Sequence, residues 1–314
     1  MQIFKLKPYC TKTIWGGKNL YKKYGKNDFE DIAESWELSG YPGKESTAVG
    51  GIYNGKSITK IIEEKGWSCL GTKAKDFDKF PILIKFIDAA QSLSIQVHPN
   101  DEIAKQLGAF GGKTEMWIIC DCEPNAFLYM GVKEEISKEK FRDAILDGTI
   151  TDYLNKVYVK PGDTFFISAG TIHAIGAGIT ICEIQQTSDT TYRLYDFKRK
   201  DKDGNERELH IEQSMVASKL TPTDDFYVIP EKVGNELKLV ECPYFNVSRI
   251  EVDGKEVVTV GADSFATFTV TEGDGYIQNG TVRLQVGKGT SVFALADSGK
   301  LEFYGKMSVV KSTL

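Results

Sequence analysis

This chain has only three histidines, His98, His173 and His210, and two of them stand in sequences suited to holding a metal. The segment LSIQVHPN at 93–100 reads as extended chain. Alternate residues of a strand point to one face, so Ser94, Gln96 and His98 project together while Ile95 and Val97 project the other way. In GGKTEMW at 111–117 the same rule puts Lys113 and Glu115 on one face. In SAGTIHAIG at 168–176 His173 sits among small residues, where backbone can approach a bound group closely.

Two imidazoles, a carboxylate and an amide oxygen make a mixed nitrogen and oxygen donor set. Zinc accepts both donor types, and a catalytic zinc keeps at least one position open. The lack of a thiolate fits a catalytic site better than a closed structural one. Nickel, cobalt, manganese or iron(II) suit the same donors. A single strand histidine is more often a satisfied core residue than a ligand, and spacing alone leaves both readings standing. Glu115 is harder to place without a partner, because a buried carboxylate needs one and a metal serves. His210, in RELHIE, reads as structural. Cys120 and Cys122 form a C-x-C, but no second Cys or Cys/His pair follows at zinc-site spacing, so they read as small hydrophobes at a strand end.

Short strands must position these groups. Candidates are PILIKFI at 81–87, LSIQVH at 93–98, EMWIIC at 115–120, TFFI at 164–167, ITICEIQQ at 179–186 and YRLYDF at 192–197. FNVSRIEV at 245–252, FATFTVTE at 265–272, TVRLQV at 281–286 and TSVFAL at 290–295 follow. Such runs between Gly-rich turns predict an all-β sandwich or barrel. Alternation in YRLYDF places Arg193 and Tyr195 on one face, and Tyr192 and Leu194 on the other. The clearest helix is SKEKFRDAILDG at 137–148, with Ser137 as N-cap, an apolar stripe of Phe141, Ala144 and Ile145, and Gly148 as the stop. Shorter helical turns are expected at 58–65 after Ser57 and at 101–107 after Asn100.

Turn residues and charge near 221–235 predict a boundary between a domain at 1–228, with the helical segments, and a β domain at 229–314. VKPGDTFFISAGTIHAIGAG at 159–178 aligns without gaps with VGKGTSVFALADSGKLEFYG at 286–305, pairing Gly162 with Gly289, Phe166 with Phe293 and Gly178 with Gly305. Lys300 stands at the His173 position, so a second barrel of this kind has lost a metal ligand.

Hydrophobic content of 41% and charged content of 26% are ordinary for a soluble protein. A net charge of -5 without a long basic run argues against nucleic acid or an anionic membrane as partner. No apolar stretch reaches the roughly 18 residues of a membrane span. MQIFKLKPYC has no apolar h-region of a signal peptide. A cytoplasmic protein is expected, with its six cysteines as free thiols.

The histidine segments resemble the cupin superfamily, whose second motif runs Gly, five residues, Pro, any residue, Gly, two residues, His. Gly162, Gly170 and His173 keep that spacing, with Ser168 in place of the Pro. More specifically, WGG at 15–17, AESWELS at 33–39, LSIQVHPND at 93–101, GKTEMW at 112–117, ISAGTIHAIG at 167–176 and EIQQTSDTTYRLYDF at 183–197 resemble, in order, the short bacterial form of type I mannose-6-phosphate isomerases. The resemblance implies a mainly β fold: a cupin-type jelly-roll barrel with a few helices, the catalytic domain at 1–228, and a second, smaller, degenerate cupin-like β-barrel at 229–314. It implies one Zn2+ per chain, held by Gln96, His98, Glu115 and His173, and a catalytic Arg193. It places Ser94, Lys113 and Glu183 in substrate binding or proton transfer. The implied reaction is aldose–ketose isomerisation of mannose 6-phosphate and fructose 6-phosphate through a cis-enediol, with the sugar phosphate as the small-molecule partner. The alternatives are another metal-dependent sugar-phosphate cupin enzyme, or a non-enzymatic sugar-binding cupin. Retention of every implied ligand and of Arg193 speaks against the last.

Overall fold

The computed structural model describes residues 2–200, 203–223 and 225–314. Asp224, inside the expected boundary stretch, lies outside them. The architecture is mainly antiparallel β, as the alternating runs predict. Strands Thr164–Ile167 and Ile179–Gln186 begin and end where the sequence places them. Three expected helix starts carry their side-chain caps. Ser57 Oγ accepts from Lys60 N at 3.2 Å ahead of Ile58–Lys65. Asn100 Oδ1 accepts from Ile103 N at 2.8 Å ahead of Asp101–Gln106. Ser137 Oγ accepts from Lys140 N at 3.2 Å ahead of Lys138–Asp147. Each bond satisfies a backbone donor that the first helical turn leaves open. Gly148 ends the last of these helices in a left-handed conformation, φ 76°.

The chain packs as two compact units. One contains Lys12–Gly17 and Ile87–Val228; the other contains the residues up to Thr11, Lys18–Phe86 and Ile229–Leu314. The second unit is therefore discontinuous, and Lys18–Phe86 cluster with the C-terminal residues.

In the unit of Ile87–Val228, one set of strands runs in the order Thr164–Ile167, Glu115–Cys122, Ile179–Gln186. A second sheet runs Tyr192–Tyr195, Ile95–Val97, His173–Ile175, Phe127–Val132, Leu154–Tyr158. One face of this second sheet is apolar. Ile95, Val97, Ala174, Tyr192 and Leu194 pack there against Phe141, Ala144 and Ile145 of helix Lys138–Asp147. Burying that face with the helix forces the alternate residues, Gln96, His173 and Arg193, to the other face.

Tyr195 departs from the expected alternation. Arg193 pairs with Gln96, but Tyr195 pairs with Ile95, so two residues of one strand oppose a single step of its neighbour. This bulge turns Tyr195 onto the apolar face, against the cluster that holds Tyr192 and Leu194.

In the other unit a long sheet runs Glu231–Val233, Glu236–Glu241, Asn246–Val260, Gly299–Thr313, Ala266–Asn279, Ser291–Ala294, Ile3–Lys7, Thr47–Val49, and Val282–Gly287 pairs with Ala266–Asn279. Its core is apolar and includes Phe268, Val270, Ile277, Val292, Ala294 and Phe303.

The two aligned segments share a turn as well as a sequence pattern. Gly162 (φ 92°) donates to Ile119 O at 2.8 Å, and Ile119 N donates to Asp163 O at 2.9 Å. Gly289 (φ 86°) donates to Val270 O at 2.8 Å, and Val270 N donates to Thr290 O at 2.9 Å. In one copy Asp163 Oδ2 accepts from Lys160 N, and in the other Thr290 Oγ1 accepts from Gly287 N. A four-residue strand follows each turn: Ile167 then pairs with Glu115, and Ala294 pairs with Ala266. Ala266 thus stands where Glu115 stands in the other copy, and Lys300, at the His173 position, is exposed.

Candidate metal centre

His98, Glu115 and His173 are buried, and their ligand atoms all lie within 4.8 Å of one another. They arrive from different elements. Glu115 opens strand Glu115–Cys122, His173 opens His173–Ile175, and His98 follows Ile95–Val97. Gly170 N donates to His98 O at 2.8 Å, which ties the turn before His173 to the end of the His98 strand.

The two rings are oriented by backbone carbonyls. His98 Nδ1 lies 2.9 Å from Thr190 O, and His173 Nδ1 lies 2.9 Å from Thr171 O. A carbonyl only accepts, so each Nδ1 carries the proton and each Nε2 presents a lone pair. Burial, and then the charge of Lys113, push the His173 imidazole down to about 4, so it is neutral at physiological pH. Its Nε2 is buried and makes no hydrogen bond, yet it lies 3.3 Å from Glu115 Oε1. A bare lone pair facing a carboxylate oxygen calls for a cation between them. His98 Nε2 lies 3.5 Å from Glu115 Oε2. Ligands at about 2.0–2.1 Å around a tetrahedral zinc lie about 3.3–3.4 Å apart, so these separations fit such an ion.

Lys113 enters the same cluster, with Nζ 2.6 Å from Glu115 Oε2 and 2.9 Å from His98 Nε2. Its own backbone is fixed by Lys113 N donating to Pro99 O at 2.9 Å. The preceding Gly112 is required by crowding, since a Cβ there would lie 2.6 Å from Asp101 N.

Gln96 is directly opposite His173 on one side and Arg193 on the other, so these three side chains share a sheet face. Ser94 is buried on the same strand parity. Arg193 is half-buried, and burial lowers its guanidinium pKa from the usual value. Its Nη1 donates to Glu208 O at 2.7 Å, whereas its buried Nε has no hydrogen-bond partner. Glu183 is buried opposite Trp117, whose Nε1 donates to Glu183 Oε1 at 3.0 Å.

Several contributors escape sequence reasoning. Trp117 was findable, because it is two residues beyond Glu115 and shares its face. Thr171 and Thr190 act through carbonyls, which leave no side-chain signature. Gln185 opposes Glu115, and its Nε2 donates to Gln186 O at 2.8 Å and Ser188 O at 2.6 Å. These bonds shape the turn that brings Thr190 O to His98. Replacing Trp117 with Phe is expected to cost about 1–3 kcal/mol, the penalty for taking a donor away from a buried acceptor. Denaturant unfolding checks this, and unchanged stability would mean that another donor satisfies Glu183.

A mainly antiparallel β protein whose buried polar face gathers two histidines, a glutamate and a lysine has the make-up of a cupin-type protein with a site able to hold a metal. Residues 3–127 match the family model for phosphomannose isomerase type I, catalytic domain, and residues 235–314 match that for mannose-6-phosphate isomerase, cupin domain. The chain is 34% identical to mannose-6-phosphate isomerase ManA of Bacillus subtilis over 98% of each chain. It is 35% identical to mannose-6-phosphate isomerase of Streptococcus mutans over 96% of this chain and 95% of the other. The crystal structure of the Bacillus subtilis mannose 6-phosphate isomerase superposes with a TM-score of 0.90 at 30% identity, covering 100% of both chains. The chain belongs to the type I phosphomannose isomerase family and is an enzyme of that class.

Proposed function

We propose that the enzyme interconverts mannose 6-phosphate and fructose 6-phosphate through a cis-enediol, using one zinc held by Gln96, His98, Glu115 and His173. The observation that carries this reading is the pair of Nε2 lone pairs converging on the buried Glu115 carboxylate, in a chain of this family. When bound, zinc supplies Lewis-acid stabilisation of negative charge on a sugar oxygen. Glu115 balances the ion's charge, and the carbonyls of Thr171 and Thr190 keep both imidazoles in the ligating tautomer.

The net change moves a hydrogen from C2 to C1 and the carbonyl from C1 to C2. A base takes the C2 proton, charge builds on oxygen, and the proton returns at C1. Glu183, held in the barrel wall by Trp117, is the proposed proton carrier, with Lys113 as the other group of suitable chemistry. Arg193 stays protonated and presents a fixed positive charge to the phosphate or the developing oxyanion. Ser94, buried two residues before Gln96, is proposed to contact the sugar. The family models support a catalytic part that includes 3–127 and a cupin-like part that includes 235–314. Six free cysteines support a cytoplasmic setting.

A coupled assay with mannose 6-phosphate, run with and without chelator, tests the function. No turnover of mannose 6-phosphate by metal-loaded protein would overturn it. Elemental analysis should give about one zinc per chain, because Ala266 and Lys300 stand where the second barrel would need ligands. Two tightly held zincs per chain would contradict the single centre.

A further inference from the structure

Arg193 lies on the outermost strand of its sheet, and only one side of that strand pairs with Ile95–Val97. The other side is met by His210. His210 Nδ1 accepts from Arg193 N at 3.1 Å, and His210 N donates to Arg193 O at 2.8 Å. A few residues earlier, Glu208 O accepts from the Arg193 guanidinium. Both backbone groups of Arg193 therefore point away from Gln96, which makes Arg193 and Gln96 a non-hydrogen-bonded pair, the kind in which facing side chains come closest.

His210 also precedes helix Ile211–Ala217, yet its side chain gives that helix no cap bond. The ring is used on Arg193 instead. Burial, and then the Arg193 charge, hold the His210 imidazole below its ordinary pKa, which keeps Nδ1 a lone-pair acceptor.

We propose that His210 is a positioning residue for Arg193: its ring Nδ1 and its peptide N–H clamp the Arg193 peptide from the open edge of the sheet and aim the guanidinium at the substrate. This rests on the reading of Arg193 as a catalytic charge. The clamp sits at the start of the Arg193–Tyr195 bulge, at the last in-register pair before the strand pairing shifts.

The test compares two substitutions of similar polarity in the metal-loaded enzyme. His210→Asn places an acceptor oxygen near the Nδ1 position, whereas His210→Gln places it near Nε2. His210→Gln is expected to lower kcat by about ten- to a hundredfold, the cost of a small misplacement of a reacting group, with its zinc retained. His210→Asn should stay within about threefold of the unmodified enzyme. In an Arg193→Ala background His210→Gln should add less than about twofold, because two residues acting through one group are not additive. Equal kcat in the Asn and Gln variants overturns the inference, and so does a full further loss in the Arg193→Ala background. A large loss in Arg193→Ala beside a normal His210→Gln enzyme overturns the clamp alone. Near-normal kcat in Arg193→Ala overturns the reading of Arg193 and the clamp with it. Should His210→Gln fail to fold, His210→Ala with added imidazole reads the same acceptor: a rise in kcat supports the clamp, and no rise overturns it.

Discussion

Arg193→Ala is expected to keep its zinc and its fold but to lose at least about a hundredfold in kcat, the usual consequence of removing a preorganised charge from a transition state. Arg193 faces the same side of its sheet as Gln96 and His173, and its buried Nε has no protein partner. A surface arginine would behave differently, with a loss confined to about half a kcal/mol of stability and no kinetic effect. Arg193→Lys should recover only part of the activity, because an ammonium lacks the planar fork of donors. A rise in KM with kcat unchanged would assign Arg193 to uniform binding of the phosphate. Steady-state kinetics with mannose 6-phosphate, beside elemental analysis and a thermal melt, distinguish these outcomes. Normal kcat and KM in the Ala variant would reject both roles.

Removal of the metal is expected to abolish turnover and leave the chain folded. The apolar layer between the second sheet and helix Lys138–Asp147 contains no ligand, so it survives metal loss. Glu115 is not left as an isolated buried charge either, since Lys113 Nζ lies 2.6 Å from Oε2. A ligand present at 100 to 1,000 times its dissociation constant adds roughly 3–4 kcal/mol, so the melting temperature should drop while unfolding stays cooperative. Lys113→Met should then destabilise the metal-free form more than the loaded form, because it removes the remaining counter-charge. Calorimetry of loaded and chelated protein reads both effects. Full activity without metal would refute the mechanism, and an unfolded metal-free chain would make the centre structural.

Much of the centre was legible because its residues obey local rules. Period-two alternation put Gln96 with His98 and Lys113 with Glu115, and the structure keeps each pair in one buried neighbourhood. The helix starts at Ser57, Asn100 and Ser137 were legible because a cap is a short-range hydrogen bond. The side of the sheet taken by Tyr195 was not, because a bulge is set by the pairing partner and not by the strand itself. Helix Ile211–Ala217 was missed for a related reason: it has seven residues, and the side chain just before it, His210, bonds Arg193 and leaves the helix without a cap. Nor does a single cut near 228 describe the packing, since Lys18–Phe86 join the C-terminal residues through contacts distant in sequence.

Strand Ile3–Lys7 lies between Ser291–Ala294 and Thr47–Val49. A ribosome makes Thr47–Val49 soon after this strand and Ser291–Ala294 much later. At about 5–20 residues per second, the wait between them is roughly 12–50 s. During that interval one edge of Ile3–Lys7 carries unsatisfied backbone groups, an open template for pairing with other chains. The stretch Ile87–Val228, by contrast, has both its sheets and the His98, Glu115 and His173 cluster on the nascent chain well before Ser291–Ala294 is made. Chaperone demand should therefore fall on the discontinuous unit, and a polypeptide arrested after Val228 should already bind zinc while still exposing its N-terminal strand.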